Sequence, residues 1–252
     1  MFEYTGDGVA FSLFGIEIRW YAIMIVTGMF LAVLLATRES KKRGYGDEVI
    51  SDLALWMLPI AVIGARIWYV IFEPQRFSTF LDVINIRSGG LAIQGGIMAS
   101  LIVIFIFSRR RELPFFELTD LIAPGLALAQ SIGRWGNFFN NEAYGYPTNV
   151  PWAVLIQGEP HHPTFFYESA GDFLIFLVLL IFLRRSKKIN GRTTMLYFVL
   201  YGILRFFVEG LRTDSLYFGH FRVAQILSLC GIGIGILGFF ILSTRARKEK
   251  DA

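Results

Sequence analysis

The sequence predicts an all-α, polytopic membrane protein with seven transmembrane helices, a reading carried by composition, window length and charge placement. Of its 252 residues 54% are hydrophobic, and mean hydropathy is +0.53. That is too apolar for the core of one soluble domain. Apolar stretches recur at 18–37, 50–72, 90–108, 115–134, 163–183, 194–211 and 222–243. Each is near the ~20 residues that cross a bilayer as a helix. Arg38, Lys41, Lys42 and Arg43 follow the first stretch, and Arg109, Arg110 and Arg111 the third. Arg184, Arg185, Lys187, Lys188 and Arg192 follow the fifth, and Arg245, Arg247, Lys248 and Lys250 the seventh. Most of the Lys and Arg thus fall on alternate loops, the mark of the cytoplasmic side. The amino terminus is expected outside and the carboxyl terminus in the cytoplasm.

The same pattern explains the net charge of +4, so no nucleic-acid partner is expected. The first basic residue is Arg19, and residues 1–18 lack the charged start of a cleavable signal. Cys230 is the only cysteine and sits among small apolar residues, which leaves no disulfide or thiolate metal site to propose. The chain reads as a single transmembrane domain, 1–252, with one long connection. Residues 135–162, WGNFFNNEAYGYPTNVPWAVLIQGEPHH, form a small extracytoplasmic loop domain with a candidate strand at Trp152–Ile156. Connections of that length usually carry function.

Every basic residue outside the four clusters is arginine: Arg19, Arg66, Arg76, Arg87, Arg134, Arg205, Arg212 and Arg222. A planar guanidinium matches phosphate and carboxylate oxygens, where lysine offers a point charge. Arg66 and Arg205 each precede the outer end of their stretch by about six residues, or ~9 Å of helix. A charge at that depth is costly unless it is paired or faces water. Each therefore either faces an anion or pairs with Glu168 or Glu209, and the sequence leaves both open. Tyr21, Gln94, Arg134 and Glu168 fall at the same level from helices running in both directions. The shared depth implies one cationic cavity opening to the outer leaflet, suited to a phospholipid head group. In GGLAIQGGIMA, residues 89–99, glycines permit close approach of a backbone or ligand around Gln94.

Together these segments resemble the bacterial prolipoprotein diacylglyceryl transferases over nearly the whole chain. GRWGNFFNNEAYG at 133–145 carries the family signature, and RWYAIM at 19–24, GARIWYVIF at 64–72, HPTFFYE at 162–168 and RFFVEGLR at 205–212 follow in family order. The resemblance implies transfer of a diacylglyceryl group from phosphatidylglycerol to the lipobox cysteine of prolipoprotein signal peptides. A thioether forms and glycerol phosphate departs. It implies no metal and no organic cofactor, membrane lipids as surroundings, and a multi-pass protein of the bacterial plasma membrane.

By the same resemblance Arg134 binds phosphatidylglycerol and Arg205 acts near the departing phosphate. Tyr21, Asn137, Glu142, Gly145 and Tyr201 match further catalytic positions, and Gln94 and Arg66 are expected to contact the lipid. Many members carry a histidine where this chain has Gln94, and glutamine cannot serve as a base for the thiol. The two arginines are expected to lower the thiol pKa enough for solvent or Glu142 to take the proton. His162 is expected to cap the helix that starts at Pro163. A lipid-binding transporter, or a transferase acting on another nucleophile such as a sugar hydroxyl, would use the same cationic pocket.

Overall fold

The computed structural model describes residues 2–3, 5–46, 48–86, 89–186 and 190–251, with Phe2 and residues 246–251 in backbone only. Arg87, Lys187 and Lys188 of the charge pattern lie outside the described residues. All seven apolar windows are helical: α1 Trp20–Lys41, α2 Val49–Phe72, α4 Ile93–Arg110, α5 Phe115–Phe139, α6 Thr164–Arg185, α7 Arg192–Glu209 and α8 Val223–Asp251, with a short α3, Phe80–Ile84, between α2 and α4. Five of them, α1, α2, α4, α6 and residues Val223–Arg245 of α8, are long and apolar enough to cross a membrane. The protein is thus a mainly helical, multi-pass membrane protein. α5 and α7 are less apolar because they carry Glu117, Asp120 and Arg134, and Arg192, Arg205 and Glu209.

The chain divides into two compact units, one comprising 1–36 with 120–252 and the other 37–119. In the first, α7 packs most extensively on α8 and next on α6. Ala123 and Ala127 of α5 meet Ile175 and Leu179 of α6 and Tyr197 of α7 in a buried cluster. The start of α7 is held by a carboxylate distant in sequence. Asp120 accepts from the Asn190, Gly191 and Thr194 amides at 3.2, 2.8 and 2.7 Å and from the Thr194 hydroxyl at 2.9 Å. These amides have no partner within the helix, and an anion suits the positive end of the helix dipole. Small strands sit between the helices. β1 (Phe2–Glu3) pairs in parallel with β4 (Val154–Ile156), which pairs antiparallel with β5 (Glu159–His161). β2 (Val9–Leu13) and β3 (Ile16–Arg19) form a hairpin before α1, and β6 (Tyr217–Phe218) and β7 (Phe221–Arg222) form one before α8.

α5 continues to Phe139, past the boundary that the apolar window ending at 134 predicts. Packing carries the helix through its polar sequence. Trp20 stacks on Phe139 at 5.2 Å, and the Trp135 indole donates to Ser169 at 3.1 Å. A Cβ at Gly136 would lie 2.6 Å from the Tyr21 ring, so the glycine leaves room for that ring.

In the second unit α2 packs along α4. Gly64 and Gly95 face each other there, and a Cβ at Gly64 would come within 2.7 Å of the Gly95 carbonyl oxygen. Small residues bring two membrane helices to backbone contact. Thr79 caps α3, its side chain accepting from the Asp82 amide while Asp82 accepts from the Thr79 amide at 2.9 Å.

Candidate active site

Arg134 lies in the last turns of α5, Arg205 in the last turns of α7, and Glu168 in the second turn of α6. The three side chains converge within the first unit. Glu168 forms an ion pair with Arg134 through one carboxylate oxygen and with Arg205 through the other. Arg205 also pairs with Glu209, one turn on, at 2.7 Å. The carboxylates are 3% exposed and the guanidinium side chains of Arg134 and Arg205 are 22% and 19% exposed. The anions are therefore interior, and the two arginine side chains are partly exposed. Coulomb attraction at such depth is weakly screened, and desolvation of each charge is offset only because partners are in place.

Tyr201 meets the Arg134 guanidinium and stacks on Tyr197 with ring centroids 5.4 Å apart. Arg212 lies 3.8 Å from Glu168 and forms a two-pronged contact with Asp214, at 2.9 and 2.7 Å. Its closest partner is thus Asp214, a local carboxylate. That bidentate bond holds the Asp214 carboxyl below the usual aspartate range, overcoming the opposing effect of burial.

Asn137, Glu142 and Tyr21 form the adjoining group. The Asn137 and Asn140 amides both donate to one Glu142 oxygen, at 2.9 and 3.2 Å. The asparagine side chains thus shape the loop's own carboxylate. Tyr21 faces both Glu142 and Arg134, which ties this group to the arginine pair. Asp7, Arg19, Asn140, Asn141 and Glu142 line an adjacent polar cavity of about 330 Å³.

Gly145 closes the loop against its surroundings. Its amide donates to His162 O at 2.9 Å, and its carbonyl meets His161 Nδ1 at 2.7 Å. A Cβ there would lie 2.7 Å from His162 Cβ and 2.8 Å from Leu211 O, so no larger residue fits without displacement. The helix predicted to be capped by His162 has Pro163 at its cap position and no side-chain cap. His162 Nδ1 instead approaches the Tyr167 hydroxyl at 3.2 Å.

Arg66 and Gln94 belong to the second unit. The Arg66 guanidinium donates to five backbone carbonyls: Val83 at 2.8 Å, Gly89 at 2.6 Å, Gly90 at 2.8 Å, Asp82 at 2.6 Å and Asn85 at 3.0 Å. It is 6% exposed and lies 4.8 Å over the Phe77 ring. Neither anion pairing nor an open donor edge describes it; its charge is satisfied by the backbone of the segment it holds. Gln94 is exposed in the first turn of α4.

Two residues of the arginine centre escape the sequence argument as site residues. Glu168 is legible there as a pairing partner and as a group at the depth of the cavity, without a role of its own. Asp172, fully buried one turn further along α6, has as its signal a single carboxylate inside the apolar run GDFLIFLVLL. Among the described residues no group of three or more His, Cys, Asp or Glu is arranged to hold a metal ion.

These helices and the arginine centre define a multi-pass membrane protein with a buried ion-pair network. Residues 8–241 match the family model of prolipoprotein diacylglyceryl transferase. A Finegoldia magna protein named phosphatidylglycerol–prolipoprotein diacylglyceryl transferase is 51% identical over 92% of this chain and 94% of its own. Proteins of the same name from Clostridioides difficile and a Nostoc species are 44% and 39% identical, over 96% and 99% of this chain and 98% and 94% of theirs. The chain belongs to the prolipoprotein diacylglyceryl transferase family.

Proposed function

We propose that Arg134 and Arg205 together bind the phosphodiester of phosphatidylglycerol, at the centre of an enzyme that transfers its diacylglyceryl group to the lipobox cysteine of a prolipoprotein. The observation that carries this is the convergence of both guanidiniums on the buried Glu168 carboxylate, with both arginine side chains partly exposed. The enzyme is a transferase of lipoprotein biosynthesis, in keeping with its family.

Its reaction displaces a phosphate oxygen from a glyceryl carbon by a thiol sulfur. Charge accumulates on the departing oxygen, and donors fixed there in advance stabilise it without reorganising. Glu168 keeps both guanidiniums in place before substrate arrives. The same cations favour the thiolate over the thiol. Tyr21, Asn137 and Glu142 orient the head group, Gly145 holds the loop in register, and Tyr201 acts beside Arg134. Arg66 holds the carbonyls of Asp82, Val83, Asn85, Gly89 and Gly90, and Gln94 presents an exposed amide that cannot titrate.

In this reading all seven long helices span the bacterial plasma membrane, with the amino terminus and the 135–162 loop outside and the carboxyl terminus in the cytoplasm. The alternation of basic clusters supports that orientation, and the site then lies at the level of the outer head groups. Purified protein incubated in detergent with phosphatidylglycerol and a lipobox peptide tests the assignment by mass spectrometry. A diacylglyceryl adduct is expected, absent with Arg134→Ala or with a Cys→Ser peptide. Binding of the lipid with no adduct on the thiol peptide would overturn it in favour of a transporter or another acceptor.

A further inference from the structure

The second unit holds a cavity of about 310 Å³ bordered by α2 and α4. Asp52, Trp56 and Ile60 line it from α2 at spacing i, i+4, i+8, and Val103, Ile106 and Arg110 line it from α4 at spacing i, i+3, i+7. Each spacing puts its side chains along one face of a helix. The cavity lies toward the opposite end of the helix pair from Gly64 and Gly95, where the lack of side chains lets the two backbones touch. At the cavity end the lining residues are large.

This lining is apolar along the helices and charged at their ends. Trp56 and Ile106 are exposed and, with Ile60 and Val103, form the apolar wall. Arg111 pairs with Asp52 and lies 5.6 Å over the Phe107 ring. That pair uses the one carboxylate of the lining. Arg110 has no hydrogen-bond or ion-pair partner among the described residues, so the cavity keeps a net positive charge. A basic cluster that ends a membrane helix commonly does no more than set orientation. Arg110 and Arg111 differ in bordering a cavity whose other wall is apolar.

We propose that this cavity binds one anionic phospholipid from the leaflet bordering this end of α2 and α4, its phosphate on Arg110 and an acyl chain along Trp56, Ile60 and Ile106. Both helices are long and apolar enough to cross a membrane, so the apolar wall lies beside acyl chains and the arginines at a head-group boundary. A guanidinium without a protein partner offers parallel donors to a phosphate. An exposed tryptophan suits the level where chains meet head groups. The net charge selects an anionic head group over a zwitterionic one. The cavity shares no residue with the arginine centre, and the lipid it holds is a bound ligand rather than the diacylglyceryl donor.

The test titrates purified protein in detergent with dioleoyl phosphatidylserine or dioleoyl phosphatidylcholine and counts bound lipid by native mass spectrometry. Wild type and Arg134→Gln should each hold a phosphatidylserine in preference to phosphatidylcholine, the Arg134→Gln variant keeping this site apart from any lipid at the arginine centre. Added to Arg134→Gln, Arg110→Gln should weaken that binding about fivefold, the usual worth of one basic residue at an anionic surface. Ile106→Trp, which fills the groove without changing its charge, should weaken it as well. Equal affinity for the two lipids, or undiminished phosphatidylserine binding in Arg110→Gln or Ile106→Trp, would overturn the proposal. So would loss of all bound phosphatidylserine in Arg134→Gln, which would put the lipid at the arginine centre, or a lipid-free dimer broken by Ile106→Trp, which would make a second copy the occupant.

Discussion

Arg134 and Arg205, on different helices, are held by opposite oxygens of one buried carboxylate, Glu168. Replacing it by Gln leaves two guanidiniums without their shared counter-ion. Breaking a buried pair by removing one partner typically costs about 3–5 kcal/mol. Glu168→Gln should therefore lower the thermal midpoint in detergent by several degrees and reduce transfer, whereas an unchanged midpoint would mean that the carboxylate is not what fixes the pair.

Gly145→Ala should fail for a steric reason. The added methyl would meet His162 Cβ and Leu211 O at 2.7 and 2.8 Å. Overpacking of this kind costs roughly 1–3 kcal/mol. Reduced transfer with a lowered melting midpoint is the expected outcome, and a variant matching wild type in both would show that the loop has slack there.

Arg66→Lys retains the charge but cannot reproduce a planar fork that reaches five carbonyls. Amide exchange across residues 80–86 and 89–90 is expected to accelerate, with little change in α5 to α8. Exchange as slow as in wild type would remove Arg66 as the anchor of that segment.

Gln94→His tests whether a base is needed at that position. With the thiolate favoured by Arg134 and Arg205, the added imidazole should change the rate at neutral pH by less than about tenfold, below the usual general-base factor. A larger gain would place the missing base at position 94.

The Arg212–Asp214 contact sets a pH dependence whose sign follows from the carboxylate. Asp214 is depressed by the bidentate hydrogen bond with Arg212 against the effect of burial. Its contribution to stability is present above the ordinary aspartate pKa and is lost as pH falls through the lower folded value. The melting advantage of wild type over Asp214→Asn should therefore stay constant from about pH 5 to 8 and shrink below about pH 4. An advantage that grew on acidification would contradict the assignment.

Much of this architecture is legible before any coordinates. The seven helical windows follow from apolar length alone, and the helix cut short at 134 differs because packing by Trp20 and Tyr21, remote in sequence, sustains it to Phe139. At the site, Arg205 reads correctly as a group requiring a partner, and Glu168 and Glu209 were the partners available to it. For Arg66 the same logic looks for an anion, whereas backbone carbonyls satisfy the guanidinium and leave no trace in residue type. Asp172 is visible as a carboxylate in an apolar run, but its lack of any hydrogen bond is a property of three dimensions.

The central claim is that Arg134 and Arg205 act on one phosphate as a unit. A double-mutant cycle on kcat/KM for phosphatidylglycerol, with Arg134→Gln, Arg205→Gln and the double variant, tests it most directly. Groups acting as a unit are strongly non-additive. The double variant is expected to be little worse than either single one, whereas losses that multiply independently would show that the two arginines do not share the phosphate.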